Sequence, residues 1–468
     1  MTQTPVAAGV GFGSERGPVL IALMVTTGLI AIDATILATA VPTIVADLGD
    51  FASFPWLFSI YVLTQAVSVP LYSKVSDTVG RKPVILAGIA LFVLGSALCG
   101  LATSMPALIA FRAVQGLGAG AVQPMAITII GDIYTVAERA TVQGYVASVW
   151  GTASVLGPTL GGLFSEYAGW PWIFFVNVPL GLVAAWLLLR RFHEHIEPRR
   201  HRLDWPGGTL LTIGLALVIL ATLEGGTAWA WRSWQSLAAF GVGALALLIF
   251  ARVERRAAEP VLPVWLFSRR LLITTTLVGF GVGVLILGVT TYVPTFLEAR
   301  LGLRPLASGL TLAPLLLGWP ISASQAGRLY LRFGFRRTVI IGGTLAVTGA
   351  VALALASAHP SVPAIGGACF VLGLGLGLVA TPSLIAAQSS VEWAERGVVT
   401  GANMFARSAG SAVGVAVLGA LVNGVMGGVA ASHDPARFGL AATAAFWAVA
   451  GVAALMAVAG WAMPRQER

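Results

Sequence analysis

The chain has 468 residues, of which 57% are hydrophobic and 10% are charged, and its mean hydropathy is +0.88. A soluble domain carries about 25% charged residues, so this composition excludes an ordinary soluble protein and predicts a membrane protein. The net charge of +9 would indicate nucleic-acid binding in a soluble protein. Here the basic residues lie mainly in turns between apolar stretches, so we expect no nucleic-acid partner.

Fourteen apolar stretches follow one another along the chain. A helix needs about 20 apolar residues to cross the hydrocarbon core of a bilayer. The first stretch is too long for a signal peptide, so we expect it to remain as a helix. The predicted spans are 19–41, 55–73, 83–102, 105–131, 141–165, 172–190, 207–223, 235–251, 271–297, 306–327, 337–356, 362–388, 398–424 and 439–462.

The basic residues are distributed unequally between the two sides of these spans. If residue 1 lies in the cytoplasm, all but six of the 28 Lys and Arg residues are cytoplasmic or flank cytoplasmic helix ends. This asymmetry follows the positive-inside rule and predicts a multi-pass protein of the cytoplasmic membrane with both termini in the cytoplasm. The six exceptions are the external Arg232, Arg300, Arg304 and Arg437, and Arg112 and Arg407 within spans.

Two sequence echoes indicate an internal repeat. The segment SKVSDTVGRKP at 73–83 resembles GRLYLRFGFRR at 327–337, and QGLGAGAV at 115–122 resembles LGLGLGLV at 372–379. Repeats of this kind are one architecture of secondary transporters, with the substrate site between the halves. We therefore expect an all-α membrane protein with a six-helix bundle at 1–190, two inserted helices with basic linkers at 191–256, and a second six-helix bundle at 257–468.

Asp33 is a carboxylate inside the first apolar stretch. An ionised group at that depth is costly unless it is paired, protonated or hydrated, so Asp33 is a candidate proton or cation site. Arg112 lies on the fourth span at a depth that differs by only about 3 Å, at 1.5 Å per residue. The two residues could form a pair that opens and closes during transport, or a permanent structural ion pair.

No other chemistry is indicated by the sequence. Cys99 and Cys369 both fall within predicted spans, where we expect buried packing and no disulfide or metal site. The only lysines, Lys74 and Lys82, do not fit a phosphate-binding GxxxxGK[ST] loop, so we expect no nucleotide or other cofactor and an ion gradient as the energy source. No catalytic constellation occurs within the spans, and we expect no enzyme.

Several segments together carry a family resemblance. The chain resembles the major facilitator superfamily, and most closely its fourteen-helix drug:proton antiporter branch. The resemblance implies the major facilitator fold, with two six-helix bundles plus two extra helices between them, and export by alternating access. The segments are AIDATILATAVP (31–42), SKVSDTVGRK (73–82), RAVQGLGAG (112–120), GPTLGG (157–162), WPWIFFVNVPLG (170–181), RLDWPGGTLL (202–211), ERRAAEPVLPVWLF (254–267) and ARSAGSAVGVAVLG (406–419).

The resemblance also implies functional residues. Segment 73–82 is similar to the family's cytoplasmic gate, which stabilises the outward-facing state, although Ser73 and Thr78 depart from the usual pattern. The alternative is that the basic residues there only fix topology. The gate residues are Asp77, Gly80, Arg81 and Lys82, and the residues that match the antiporter motif are Gly144, Gly157, Pro158, Gly161 and Gly162.

Further polar residues are candidates from position alone. Glu298 at the outer end of the ninth span is either a second protonation site, with Asp33 and Arg112, or an exposed carboxylate. Arg407 either faces the cavity or caps backbone carbonyls. The residues that could line the cavity are Tyr61, Gln65, Gln115, Gln123, Trp150, Asn403 and Arg407.

The leading hypothesis is a proton-coupled antiporter that exports hydrophobic or cationic drug-like compounds. An alternative is export of one dedicated compound, such as a lipid, an antibiotic or a metabolite. A receptor or scaffold on a transporter fold is a third, less favoured hypothesis. The expected partners are a small-molecule substrate, protons and membrane lipids, and we expect the protein to act as a monomer.

Overall fold

A computed structural model describes residues 10–49, 56–194, 205–225, 229–256, 264–303, 305–426 and 435–465. The chain forms two compact units, one of residues 1–201 with 393–398 and one of residues 202–392 with 399–468. Nine helices of the described residues are long and apolar enough to cross a membrane. A helix satisfies its own backbone groups, which is why it can span hydrocarbon.

The first unit contains seven helices. Within it α1 packs on α5 and α7, and α4 packs on α2 and α3. The helices are α1 Gly17–Leu48, α2 Trp56–Val79, α3 Arg81–Gly100, α4 Met105–Ile133, α5 Val136–Tyr167, α6 Trp172–Phe175 and α7 Asn177–Arg191.

The second unit contains the remaining helices. Within it α14 packs on α12 and α13, α16 packs on α10 and α13, and α8 packs on α9. The helices are α8 Trp205–Glu224, α9 Trp234–Glu254, α10 Arg270–Leu301, α11 Pro305–Leu310, α12 Ala313–Phe333, α13 Phe335–Ala356, α14 Val362–Ser389, α15 Arg396–Met426 and α16 Pro435–Trp461. The first turn of α15, up to Val398, groups with the first unit.

Two predicted spans contain a break in the helix before a proline, although Trp172–Arg191 is still long and apolar enough to form one membrane span. The span predicted at 172–190 is divided into α6 and α7, and the span predicted at 306–327 into α11 and α12. A proline ring clashes with the carbonyl four residues earlier. Helix α6 ends at Phe175, four residues before Pro179, and α11 ends at Leu310, four residues before Pro314.

The sequence repeat recurs as matching helix contacts. A Cβ built on Gly118 of α4 would lie 2.7 Å from Phe92 Cα of α3, and one built on Gly375 of α14 would lie 2.7 Å from Ala346 Cα of α13. Gly375 follows Gly118 by 257 residues and Ala346 follows Phe92 by 254 residues, and the two sequence echoes have the same offsets of 257 and 254. Gly80 and Gly334, which begin α3 and α13, both have positive φ, at 99° and 85°. The same small residues therefore allow the same close helix approach in each unit.

Candidate functional site

A buried ion pair lies inside the first unit. Arg112 Nη1 on α4 is 2.9 Å from Asp33 Oδ2 on α1, and the two side chains are 2% and 1% exposed. The structure thus brings together the two embedded charges that the sequence places at similar depth. Arg112 stays protonated at any relevant pH, so the pair is neutral when Asp33 is ionised.

Two amides complete the hydrogen bonding of the Asp33 carboxylate. Gln115 Nε2 and Asn177 Nδ2 donate to Asp33 Oδ1 at 2.8 Å and 2.9 Å. Both amides also donate to Ser96 Oγ, at 3.1 Å and 3.0 Å. We name Asp33, Ser96, Arg112, Gln115 and Asn177 the Asp33 network. The two carboxylate oxygens accept hydrogen bonds from three side chains, so both oxygens are bound.

Arg112 is held by further groups of the first unit. Its Nε donates to Leu57 O at 3.1 Å, and its Nη1 also donates to Gln115 Oε1 at 2.7 Å. The guanidinium lies 4.2 Å from the centroid of the Tyr61 ring, within the range of a cation–π contact. These contacts fix the position of the guanidinium beside Asp33.

A second cluster of charges lies at the turn between α2 and α3. Arg81 has a fully buried side chain, with Nη2 2.8 Å from Asp77 Oδ1 and Nε 3.1 Å from Asp132 Oδ2. Asp132 also accepts from Arg396 Nη1 at 3.2 Å. We name Asp77, Arg81, Asp132 and Arg396, with the segment Trp393–Val398, the gate cluster.

The segment Trp393–Val398 contributes backbone groups to the gate cluster. Arg81 Nη2 donates to Trp393 O at 2.8 Å, and the Val398 N–H in the first turn of α15 donates to Asp77 Oδ2 at 3.0 Å. A carboxylate at a helix N-terminus is favoured by the helix dipole. Asp77 lies beyond the predicted span 55–73, and burial raises its pKa to about 7 against the opposing effect of Arg81.

Side-chain hydrogen bonds connect the start of α3, which follows Gly80, to the end of α7. The backbone N–H groups of Arg81 and Lys82 both donate to the Glu194 carboxylate at 2.9 Å. Lys82 Nζ donates to Leu189 O and Phe192 O, which satisfies carbonyls at the end of α7. Glu194 therefore caps α3, and Lys82 caps α7.

The antiporter-motif residues lie on α5, which packs against α1. A Cβ on Gly157 would lie 2.7 Å from Thr35 Cβ, two residues after Asp33. Thr35 Oγ1 donates to Ala153 O at 3.0 Å, so the two backbones are close. Gly161 is buried, Gly144 and Gly162 are partly exposed, and a Cβ on Gly162 would meet no atom within 4 Å. The side chain of Pro158 lies outside the described residues.

The other candidates occupy separate places. In the first unit, Gln65 Nε2 donates to Gln123 Oε1 at 3.1 Å and Trp150 is partly exposed on α5. In the second unit, Glu298 Oε1 accepts from Ser308 Oγ at 2.6 Å. The predicted roles of Gln65, Gln123 and Trp150 in the cavity and of Glu298 in protonation therefore stay predictions. Asn403 and Arg407 lie on α15 in the second unit.

Five side chains in or beside these clusters were not singled out from the sequence: Ser96, Asn177, Asp132, Glu194 and Arg396. Asn177 is a polar residue within a predicted span and follows Phe174, whose carbonyl accepts a hydrogen bond from Ser96 at 2.9 Å. An amide within an apolar stretch is a signal that could have identified it. Asp132 and Glu194 gave no comparable signal, because acidic residues near span ends are common.

Comparison with known proteins agrees with this architecture. A model described as the Major Facilitator Superfamily matches residues 23–415. The multidrug transporter protein MdtP of Bacillus subtilis (strain 168) is 34% identical over 413 residues, which cover 88% of this chain and 76% of that protein. Multidrug resistance protein 3 of the same organism is 34% identical over 409 residues, covering 87% and 80%.

A solved structure shares the fold at low identity. The human organic anion transporter MFSD10 is 16% identical, with a TM-score of 0.67 over 95% of this chain and 99% of that one. Because the family model matches most of its length, the chain belongs to the major facilitator superfamily, whose members are multi-pass membrane transporters and not enzymes.

Proposed function

We propose that the protein is a proton-coupled antiporter of the fourteen-helix drug:proton branch. It exports hydrophobic or cationic drug-like compounds by alternating access. The observation that carries the proposal is the Asp33 network, a carboxylate and a guanidinium buried together inside an apolar helix bundle. Such groups are costly within a membrane and are typical of ion and proton pathways. The names of the two bacterial relatives support multidrug export.

Protonation of Asp33 is the proposed coupling step. In the ionised state each carboxylate oxygen faces N–H donors. Oδ1 accepts two hydrogen bonds and Oδ2 accepts one, so a proton would either add to the remaining lone pair of Oδ2 or displace a donor from Oδ1. Loss of the carboxylate charge also leaves Arg112 without its counter-ion. The network therefore has two arrangements that differ in proton content, which is what coupling to a conformational change requires.

The gate cluster is proposed to stabilise the outward-facing state. Arg81 holds together Asp77, Asp132 and the Trp393 carbonyl, and the Val398 N–H binds Asp77. Opening of the cytoplasmic side would separate these groups and expose buried charges to water. We propose the predicted division into 1–190, 191–256 and 257–468, a cytoplasmic-membrane location with both termini in the cytoplasm, and function as a monomer.

The ion gradient supplies enough free energy for one proton per cycle. One elementary charge moved through 100 mV corresponds to about 2.3 kcal/mol. At about 1.4 kcal/mol per factor of ten, this supports a gradient of roughly 50-fold for an uncharged substrate that is exchanged for one proton. One coupling carboxylate is therefore sufficient for uncharged compounds, whereas one-for-one exchange with a monovalent cation moves no net charge and is driven by the pH gradient.

The test is transport in everted membrane vesicles with an imposed pH gradient. We expect Asp33→Asn to abolish the proton-driven movement of a cationic dye such as ethidium, because the amide cannot carry the proton. The control is Asp47→Asn, since Asp47 lies at the far end of α1 and accepts a hydrogen bond from Trp170 Nε1 at 2.8 Å. A protonophore should stop transport by the native protein. Undiminished efflux by the membrane-inserted Asp33→Asn variant would refute the assignment.

A further inference from the structure

The second unit contains an embedded arginine on a tightly packed pair of helices. Asn403 Nδ2 of α15 donates to Thr275 O of α10 at 2.9 Å, and Ser411 Oγ donates to Gly283 O at 3.1 Å. Arg407 lies midway between these two residues, at four-residue spacing, and its backbone carbonyl contacts Gly283. Residues four apart share a helix face, so Arg407 lies on the face of α15 that packs on α10.

Within the described part of this unit, no acidic side chain pairs with the Arg407 guanidinium. Among the described residues, its guanidinium makes no hydrogen bond or ion pair with another side chain or carbonyl, and the side chain is partly exposed. Acidic residues of the described second-unit helices occur only near helix ends: Glu224 on α8, Glu254 on α9 and Glu298 on α10. The packed helices α12, α13, α14 and α16 contain no acidic residue.

The internal repeat shows that this arginine is not a copy of the first pair. At the offset of 257, the position of Arg112 is occupied by Cys369 and that of Gln115 by Leu372, both buried. Trp150 is 257 residues before Arg407. The first unit therefore balances its embedded arginine with Asp33, whereas the described residues of the second unit place no anion against Arg407.

The depth of Arg407 favours an external counter-ion. It is eleven residues after Arg396, the first residue of α15, which is roughly 16 Å along the helix axis at 1.5 Å per residue. This is about half the thickness of the hydrocarbon core. A charged side chain there is costly unless it is paired or hydrated. The planar guanidinium fork matches a carboxylate or phosphate with two parallel hydrogen bonds.

We propose that Arg407 binds the acidic group of a transported amphipathic anion, a carboxylate on a hydrophobic body. The inference rests on the proposed transport function and extends its substrates beyond hydrophobic and cationic compounds. Arg407 supplies the charge and the donors, and the apolar residues around it accept the body of the compound. Binding of the anion lowers the cost of the embedded guanidinium, which in turn selects acids over their neutral esters.

The test is binding to the purified full-length protein in nanodiscs of zwitterionic lipid. The probes are pyrenebutyric acid, its methyl ester and a pyrenylbutyl trimethylammonium salt, followed by fluorescence. We expect the native protein to bind the acid about ten- to a hundredfold more tightly than the ester, the range of a charge-assisted hydrogen bond. Arg407→Gln should remove this preference, Arg407→Lys should retain part of it, and the control Arg336→Gln should leave it unchanged.

Three results would overturn the proposal. The first is equal binding of acid and ester by the native protein, and the second is an unchanged acid preference in a folded Arg407→Gln variant. The third is loss of the acid preference in nanodiscs that contain anionic lipid, because a lipid headgroup would then be the ligand. If thermal unfolding shows that Arg407→Gln does not fold, the proposal is tested by the ratio of acid to ester affinity in the native protein and in Arg407→Lys.

The assay separates this proposal from proton coupling. Binding is measured without a gradient, so Asp33→Asn should keep the acid preference even though it abolishes proton-driven efflux. Acid-selective binding together with gradient-independent transport would refute the coupling and leave the anion site. Proton-coupled transport without acid-selective binding would refute the anion site and leave the proton coupling.

Discussion

Asn177 illustrates how one amide can favour one charge state of a carboxylate. Its Nδ2 donates to Asp33 Oδ1 and Ser96 Oγ, while its Oδ1 has no hydrogen-bond partner among the described residues although the side chain is fully buried. An unmade hydrogen bond at a buried oxygen is unfavourable. Its described hydrogen bonds are thus made by the NH₂ group, which binds the carboxylate and the hydroxyl.

We expect Asn177→Leu to raise the pH at which proton-driven efflux is half-maximal, by about one pH unit. The variant removes one donor from the ionised carboxylate, worth about 1.5 kcal/mol, so protonation becomes easier. The measurement is dye efflux from everted vesicles across a pH series.

The matched control for this variant is Asn403→Leu. Asn403 is also a buried helical asparagine, but it donates to the Thr275 carbonyl. It should lower the thermal stability without moving the midpoint. An unmoved midpoint in a folded Asn177→Leu variant would show that the amide has only a packing function.

Asp77 makes the gate cluster sensitive to pH. Burial raises its pKa to about 7, compared with about 3.9 for an exposed Asp. Its charged neighbours are Arg81, Lys74 and Asp132. Between these two pKa values the packed arrangement binds a proton that the exposed carboxyl does not. The stability of the cluster is therefore full below about pH 4 and decreases as the pH rises through 7.

Hydrogen exchange of Trp393–Val398 checks this pH dependence. After correction for intrinsic rates, we expect the segment to be better protected at pH 5 than at pH 8. In Asp77→Asn, which cannot titrate, protection should vary less with pH. The same slope in native protein and variant would show that another group is responsible.

At the scale of helices, close backbone approach depends on glycine at particular positions. A Cβ on Gly342 of α13 would lie 2.7 Å from Leu378 Cβ and 2.9 Å from Gly375 O of α14. A Cβ on Gly367, at an exposed position of α14, would meet no atom within 4 Å. Substitution at these two positions therefore distinguishes the effect of helix packing on stability from the effect of helix propensity.

We expect Gly342→Ala to destabilise the protein by about 1–3 kcal/mol through overpacking. Gly367→Ala should be neutral or stabilising, because Ala favours helix over Gly by about 1 kcal/mol. The measurement is thermal unfolding of the purified protein in detergent. Equal unfolding temperatures for the two variants would contradict the packing argument.

The helices were largely predictable because apolar length determines them, and the breaks were not. The predicted spans at 362–388 and 398–424 lie within α14 and α15, since long apolar segments leave the backbone no alternative to a helix. The division before Pro179 and Pro314 was not predicted. Other prolines, such as Pro124 and Pro382, lie inside continuous helices. The tertiary neighbours of each proline, which decide between these outcomes, are not visible in a local pattern.

The pairing of Asp33 with Arg112 was predictable from depth, and the rest of the Asp33 network was not. Two embedded opposite charges at one level have a strong reason to meet. The amides of Gln115 and Asn177 come from helices whose rotation the sequence does not specify. The same limit applies to Asp132, which the fold places against Arg81 and Arg396.

At the scale of the whole molecule, the basic residues determine the expected orientation. Because all but six Lys and Arg residues lie on one predicted side, we expect both termini in the cytoplasm. A green fluorescent protein fused after Arg468 should be fluorescent, and alkaline phosphatase at the same position should be inactive. A fusion within the turn between α3 and α4, which is predicted to be external, serves as the control and should give the reverse. Active phosphatase at the C-terminus would contradict the orientation.

The boundary between the two compact units falls inside α15, after Val398. Fragments 1–201 and 202–468 are therefore not two self-sufficient halves. The first contains Arg81 and Asp77 but lacks the Trp393 carbonyl and the Val398 N–H that bind them. If the chain is cut within 195–204, the first fragment lacks Trp393–Val398, which only the second fragment can supply. Reassembly of the two fragments would therefore report formation of the gate cluster.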